Sequence, residues 1–138
     1  MATYLPDTNI VMCILEKRKD AHERVKQRFQ TVLRQNALIL MSPVVFYELA
    51  RSLYQRGAKK QLASLEKLAN LSCWCDLSRA TWDTSARLWA DCRKKGVPTG
   101  EGIDKDVLIA AQAKEHDAVV VTNNICHFRY LGVNYESW

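Results

Sequence analysis

Apolar residues follow two rhythms along this chain. Compact runs of strand length occur at Thr3 to Pro6, Ala37 to Met41, Cys73 to Leu77 and Ala118 to Thr122. Between them lie longer segments whose apolar residues return every three or four positions, as on one face of a helix. Ile10, Val11, Ile14 and Leu15 form the first such stripe; Val25, Phe29, Val32 and Leu33 form a second, within Ala21 to Gln35. Val44, Val45, Leu49 and Leu53 follow in a third, and Lys59 to Asn70 makes a fourth. A long helix to about Lys95 carries Ala86, Leu88, Trp89 and Cys92, and Ile103 to Glu115 carries Val107, Leu108 and Ala111. The run Ala118-Val-Val-Val-Thr122 shows no alternation, as expected of a strand covered on both faces. A last edge strand is expected around Val133 to Tyr135.

Local chemistry marks the boundaries. Asp7-Thr8-Asn9 offers helix-capping side chains, and Lys17 to Asp20 interrupts the first helix. Pro43 suits the first turn of a helix, Gly57 ends that helix, and Ser78 caps the long one. Gly96 to Gly102, with three glycines and Pro98, is a loop. Strands alternating with helices predict an α/β protein, a three-layer α/β/α arrangement around a mostly parallel sheet. In such sheets ligands gather beyond the carboxyl ends of the strands. Asp7, Ser42, Asn123 and Asn124 all stand just past a strand.

A length of 138 residues fits one domain, 1–138, large enough to bury its own core. No apolar run approaches a membrane span and the N-terminus has no signal-peptide pattern, so a cytoplasmic protein is expected. Five cysteines lack zinc-ligand spacing and read as reduced, mostly buried thiols. The net charge of +5, from 20 Lys+Arg against 15 Asp+Glu, is compatible with a polyanionic partner without requiring one.

The carboxylates carry the chemistry. Asp7 serves either as a helix cap or as a ligand. Glu48 lies in a turn with Val44, Val45, Phe46 and Leu49, where a glutamate needs a partner: Arg51, Arg56 or a cation. Asp104 and Asp106 open a helix as complements of its dipole, but two positions apart they face different ways. Converging carboxylates repel one another unless a cation joins them, and oxygen donors select Mg²⁺, Mn²⁺ or Ca²⁺ over zinc.

Four blocks, Asp7-Thr8-Asn9, Ser42-Pro43-x₄-Glu48-Leu49, Asp106-Val-Leu-Ile-Ala-Ala-Gln-Ala113 and Val121-Thr122-Asn123-Asn124 with Phe128 nearby, together resemble the PIN-domain family, most of all its VapC-type toxins of bacterial toxin–antitoxin pairs. The resemblance spans essentially the whole chain, 1–138, as one PIN-like nuclease domain. It implies catalytic and metal-binding roles for Asp7, Glu48 and Asp106, with Asp104 as a cap or outer-shell residue. Asn124 occupies a position where the family often has a fourth acid; it adds no charge, which favours one firmly held ion, and it becomes an outer-shell candidate. The implied activity is endonucleolytic RNA hydrolysis with Mg²⁺, Mn²⁺ substituting, by a homodimer held in check by a small antitoxin. Two alternatives share the fold: a non-catalytic nucleic-acid-binding module and a DNA-directed nuclease. Arg51, Arg56, Lys59, Lys60, Arg93, Lys94 and Lys95 are candidates for backbone contacts, and Tyr47, Trp82, Trp89 and Trp138 for base stacking. For Trp82 and Trp89, core packing or a dimer face is the stronger expectation.

Overall fold

The computed structural model describes residues 1–100 and 102–138. Its elements are β1 (Thr3–Pro6), α1 (Thr8–Leu15), α2 (His22–Arg34), β2 (Leu38–Met41), α3 (Pro43–Arg56), α4 (Lys59–Leu71), β3 (Cys73–Trp74), α5 (Arg79–Lys94), α6 (Ile103–Glu115), β4 (Val119–Val121), α7 (Ile125–Phe128) and β5 (Tyr135–Glu136). The strands form one sheet in the order β3-β2-β1-β4-β5, and every neighbouring pair is parallel. The expected mostly parallel sheet is therefore wholly parallel among the described residues.

Strand β1 sits at the centre because it can be buried on both sides. Leu5 is fully enclosed, as are Val120 and Val121 of the adjoining β4. Helices supply the covering faces with Ile10, Val25, Leu49, Leu53, Ile109 and Ala110, all buried. The small residues of α6, Ala110, Ala111 and Ala113, let that helix lie close to its neighbours. From β1 the chain runs to β2 on one side, and later returns to β4 on the other. The direction of winding changes there, and the place beyond the carboxyl ends of β1 and β4, the crevice of such folds, is where sheets of this kind hold their ligands.

Several boundaries are shorter than the pattern predicts. Strand β3 stops at Trp74: the Cys75 amide still donates to the Met41 carbonyl, but Asp76 turns back to accept the Trp74 indole N–H at 2.7 Å. Strand β5 falls at Tyr135–Glu136, later than expected, and the one-turn α7 has no counterpart in the sequence pattern. Glu101, inside the predicted glycine loop, lies outside the described residues. Only Cys75 and Cys92 are buried; Cys13 is half-buried, and Cys73 and Cys126 are exposed, so the thiols are not mostly buried.

The base-stacking expectation for Trp138 is corrected, and so is the core alternative, though not the dimer-face one, for Trp82 and Trp89. Trp138 is buried against Tyr4 and Phe29, its indole N–H donating to Glu136 at 2.7 Å, and cannot stack on a base. Trp82 and Trp89 are not core residues. On α5 the small side chains of Thr81, Ser85 and Cys92 face inward, and both tryptophans stand exposed beside a groove with Val107 and Leu108. No helix of the described residues is long and apolar enough to cross a membrane.

Candidate functional site

Asp7 is the junction between β1 and α1. Its backbone amide donates to the Val121 carbonyl of β4 at 2.9 Å, extending the sheet by one residue. Its Oδ1 accepts the Ile10 amide at 3.1 Å, capping α1. The side chain is thus pinned, 3% exposed, at the mouth of the crevice between β1 and β4. Asp106 enters from the first turn of α6 and is 4% exposed. His127 Nδ1, from α7, donates to its Oδ2 at 2.6 Å. Glu48 enters from the second turn of α3, half-buried. Its Oε2 accepts the Thr8 hydroxyl at 3.0 Å, and Lys105 Nζ lies 3.3 and 3.4 Å from its two oxygens.

Burial pushes the Asp7 carboxyl above its ordinary value; Thr122, the Ile10 amide and Lys105 pull it back, and Asp106 raises it further. Burial likewise raises Asp106, against the opposing pull of His127 and Lys105, and Glu48 adds to the rise. Asp106 therefore lies within electrostatic reach of both Asp7 and Glu48. The chain brings together residues 7, 48 and 106 because each sits at or just past the start of a helix packed on the same edge of the sheet.

Two consequences can be measured. An acid whose folded pKa lies above its unfolded value holds a proton that the unfolded chain has already released. Stability without metal therefore falls as pH rises from about 3.8 through the raised value, and the loss persists at neutrality. Asp7→Asn removes that charge and keeps a capping oxygen for Ile10, since Asn caps as well as Asp. In EDTA at pH 7 the variant is expected to be about 1 kcal/mol more stable than the parent in urea melts, with a flatter pH profile above about pH 4. A less stable Asn variant would show that the charge is compensated in the folded protein.

The other sequence candidates separate. Asp104 does not join the crevice: it is exposed and lines the α5–α6 groove with Trp82 and Trp89. Asn124 is exposed next to Thr122. Its amide donates to the Thr122 hydroxyl at 2.9 Å, and that hydroxyl donates to the Asn124 carbonyl at 3.1 Å, holding the turn after β4. Neither Arg51 nor Arg56 pairs with Glu48; the Arg51 guanidinium lies 5.2 Å from the Tyr47 ring centre. Arg93 covers Trp89 and donates to the Thr99 hydroxyl, while Lys94 and Lys95 are exposed.

Lys105 and His127 are the site residues that sequence reasoning missed. A lysine between Asp104 and Asp106 reads as a solvated helix turn, and only contact with Glu48 distinguishes it. His127, one of three histidines, had no spacing that tied it to Asp106, 21 positions earlier. The basic run Lys17-Arg18-Lys19 reads in sequence as a helix break. Arg18 and Lys19 line a groove of about 610 Å³ with Met12, Glu16, Ser52 and Arg56. Lys17, Arg18 and Lys60 line an adjoining one of about 440 Å³. The first starts about 6 to 8 Å along α1 from Asp7 and along α3 from Glu48, and the second joins the end of α1 to α4.

Among the described residues no three His, Cys, Asp or Glu side chains gather closely enough to enclose an ion as they stand, Glu48 being engaged by Thr8 and Lys105. The donor set nevertheless fits a hard divalent cation. Asp7, Glu48 and Asp106 offer oxygens only, and the two buried acids carry unfavourable charge that such a cation would relieve.

The family model described as PIN domain matches residues 4–130. The tRNA(fMet)-specific endonuclease VapC of Salmonella typhimurium is 30% identical over 145 residues, covering 100% of this chain and 99% of that protein. Among solved structures, VapBC2 from Rickettsia felis bound to a DNA fragment from their promoter superposes with a TM-score of 0.81 at 25% identity, covering 99% of this chain and 98% of that one. DNA-bound VapBC from Salmonella typhimurium gives a TM-score of 0.81 at 24% identity over 100% and 99% of the two chains, a likeness of fold. With a family match over nearly its whole length and a full-length VapC relative, this chain belongs to the PIN domain family and is of its VapC type.

Proposed function

We propose that the chain is a divalent-metal-dependent endoribonuclease, the toxin of a toxin–antitoxin pair, with Asp7, Glu48 and Asp106 as its metal-binding and catalytic residues. The observation that carries this reading is the pair of buried, mutually repelling carboxylates, Asp7 and Asp106, with Glu48 beside them at the carboxyl edge of a parallel sheet. Mg²⁺, or Mn²⁺ in its place, would supply activation of water and neutralisation of charge developing on the phosphate. The protein's share is positioning. The Ile10 amide fixes one oxygen of Asp7, and His127 fixes one of Asp106. Thr8 orients Glu48, and the Thr122 hydroxyl holds the turn that follows β4. Asn124 in place of a fourth acid favours a single resident ion.

RNA is the substrate this reading assigns, supported by the likeness to a tRNA endonuclease. A small antitoxin partner is proposed by likeness to the VapBC2 complex, and a homodimeric toxin from the family resemblance alone. The test is cleavage of a mixed structured-RNA pool by purified protein in Mg²⁺, in Mn²⁺ and in EDTA, with a DNA pool alongside. Cuts in RNA that need metal support the reading. Metal-independent RNA binding without cuts favours a binding module, and cuts confined to DNA would reassign the substrate.

The basic grooves at the far ends of α1 and α3 extend the RNA path beyond the acids. Arg18→Ala combined with Lys60→Ala is expected to weaken RNA binding by about tenfold at 0.1 M salt and to reduce the salt slope by about one to two units. Filter binding across a salt series measures this, and an unchanged slope would take the path elsewhere.

A further inference from the structure

We propose that Lys105 is a working member of the site, its ammonium serving as a second, built-in cation that contacts the scissile phosphate; this rests on the nuclease reading above. Lys105 Nζ lies 3.3 Å from Glu48 Oε2 and 3.4 Å from Oε1, between α6 and α3. Its charge is also felt by both Asp7 and Asp106. One ammonium therefore serves three carboxylates, which leaves a net charge of two negatives, the amount one divalent ion balances.

Its position has no account in helix stability. Lys105 stands in the first turn of α6, beside the positive end of the helix dipole, where cations are disfavoured. The side chain is about a quarter exposed, so Nζ is both held by the acids and open to an entering ligand. Being adjacent to Asp106 in one helical turn, its backbone is as firmly placed as that carboxylate.

The chemistry follows from charge. Hydrolysis joins a water oxygen to phosphorus and breaks the bond from phosphorus to the leaving sugar oxygen. The water's proton passes to that leaving oxygen through solvent, and Lys105 keeps all of its own. As negative charge grows on the non-bridging oxygens, Lys105 donates hydrogen bonds to them, a role otherwise open to a second metal ion. Before substrate binds, the same ammonium opposes the entry of a divalent cation, so the site trades metal affinity for turnover.

That trade separates Lys105 from a merely structural residue. Lys105→Met is expected to bind Mn²⁺ about tenfold tighter, by calorimetry and by loss of free-ion EPR signal, because a like charge has been removed. The same variant is expected to cut RNA about 100-fold slower, the loss falling in kcat, with Lys105→Arg recovering part of it. Opposite movements of metal affinity and kcat bear the proposal out. Weaker Mn²⁺ binding with slower cleavage, or no change in either, overturns it. If the parent protein neither binds Mn²⁺ nor cuts RNA, the nuclease reading itself fails and this proposal falls with it. Melting curves of both variants guard against misfolding as the cause.

Discussion

Asp106→Asn protein is expected to fold like the parent and to cut RNA at least about 1,000-fold more slowly. The substitution changes almost nothing but charge. Asparagine keeps the shape of the side chain and an oxygen that can accept the His127 Nδ1–H, now made at 2.6 Å. It also spares the protein a carboxylate that burial and Glu48 already disfavour, so stability is expected to hold or rise. The loss is functional: one of two deeply buried negative charges disappears from the place where a divalent cation would be held. Asp104→Asn is the matched control. It lies two positions away in the same helix but lines the α5–α6 groove, and its cleavage rate is expected to stay within about twofold of the parent. Single-turnover rates on one RNA at saturating Mn²⁺ give both numbers. An Asp106→Asn enzyme with more than a tenth of parental activity would remove Asp106 from the reaction.

The largest loss of stability is expected at Gln112, which has no part in the chemistry. Its side chain is fully buried under the crevice. Oε1 accepts the Ser42 hydroxyl at 2.5 Å, and Nε2 donates to the Cys75 carbonyl at 2.7 Å. Ser42 in turn accepts the Val44 amide at the start of α3, so one amide ties α6 to the cap of the helix carrying Glu48 and to the edge of β3. Gln112→Ala strands a buried hydroxyl and a buried carbonyl and leaves a cavity. The combined cost is about 3 kcal/mol, or roughly 10 °C in melting temperature. Gln112→Leu fills the volume yet leaves both partners unsatisfied, and about 2 kcal/mol of the loss is expected to remain. If Gln112→Leu matched the parent in a denaturant melt, the network would contribute nothing net to stability.

Much of this architecture was legible from local pattern. The valine run 119–121 announced a strand covered on both faces, and Ser42-Pro43 and Gly57 announced the two ends of α3. Pattern failed where tertiary contact decides. The same helical spacing that places Leu49 in the core leaves Trp82 and Trp89 outside, because Thr81, Ser85 and Cys92 are small enough to bring α5 close to α6. Trp138 reads in sequence as a candidate for base stacking, but the fold lays Tyr4 and Phe29 against it. In the site, carboxylates after strands and in apolar turns are conspicuous, but position alone left Asp7 a cap or a ligand and did not separate Asp106 from Asp104; the resemblance to the PIN-domain family singled out Asp7, Glu48 and Asp106. Lys105 and His127 could not be named in sequence, since their meaning lies in which carboxylate they touch.

The placement of β1 in the middle of the sheet bears on how the protein is made. Its partner β4 lies more than 110 positions later, so on the ribosome β1 waits with one open edge for about 6 to 25 seconds of synthesis. Asp7 acquires its hydrogen-bonded neighbour at Val121, and Asp106 its histidine, only after nearly the whole chain has emerged. A growing polypeptide therefore cannot complete the crevice before His127 has been made, which delays any attack on nearby RNA, including the message being translated. The same delay leaves an unpaired strand edge available to association, so truncated chains ending before β4 should be inert as nucleases and prone to aggregate.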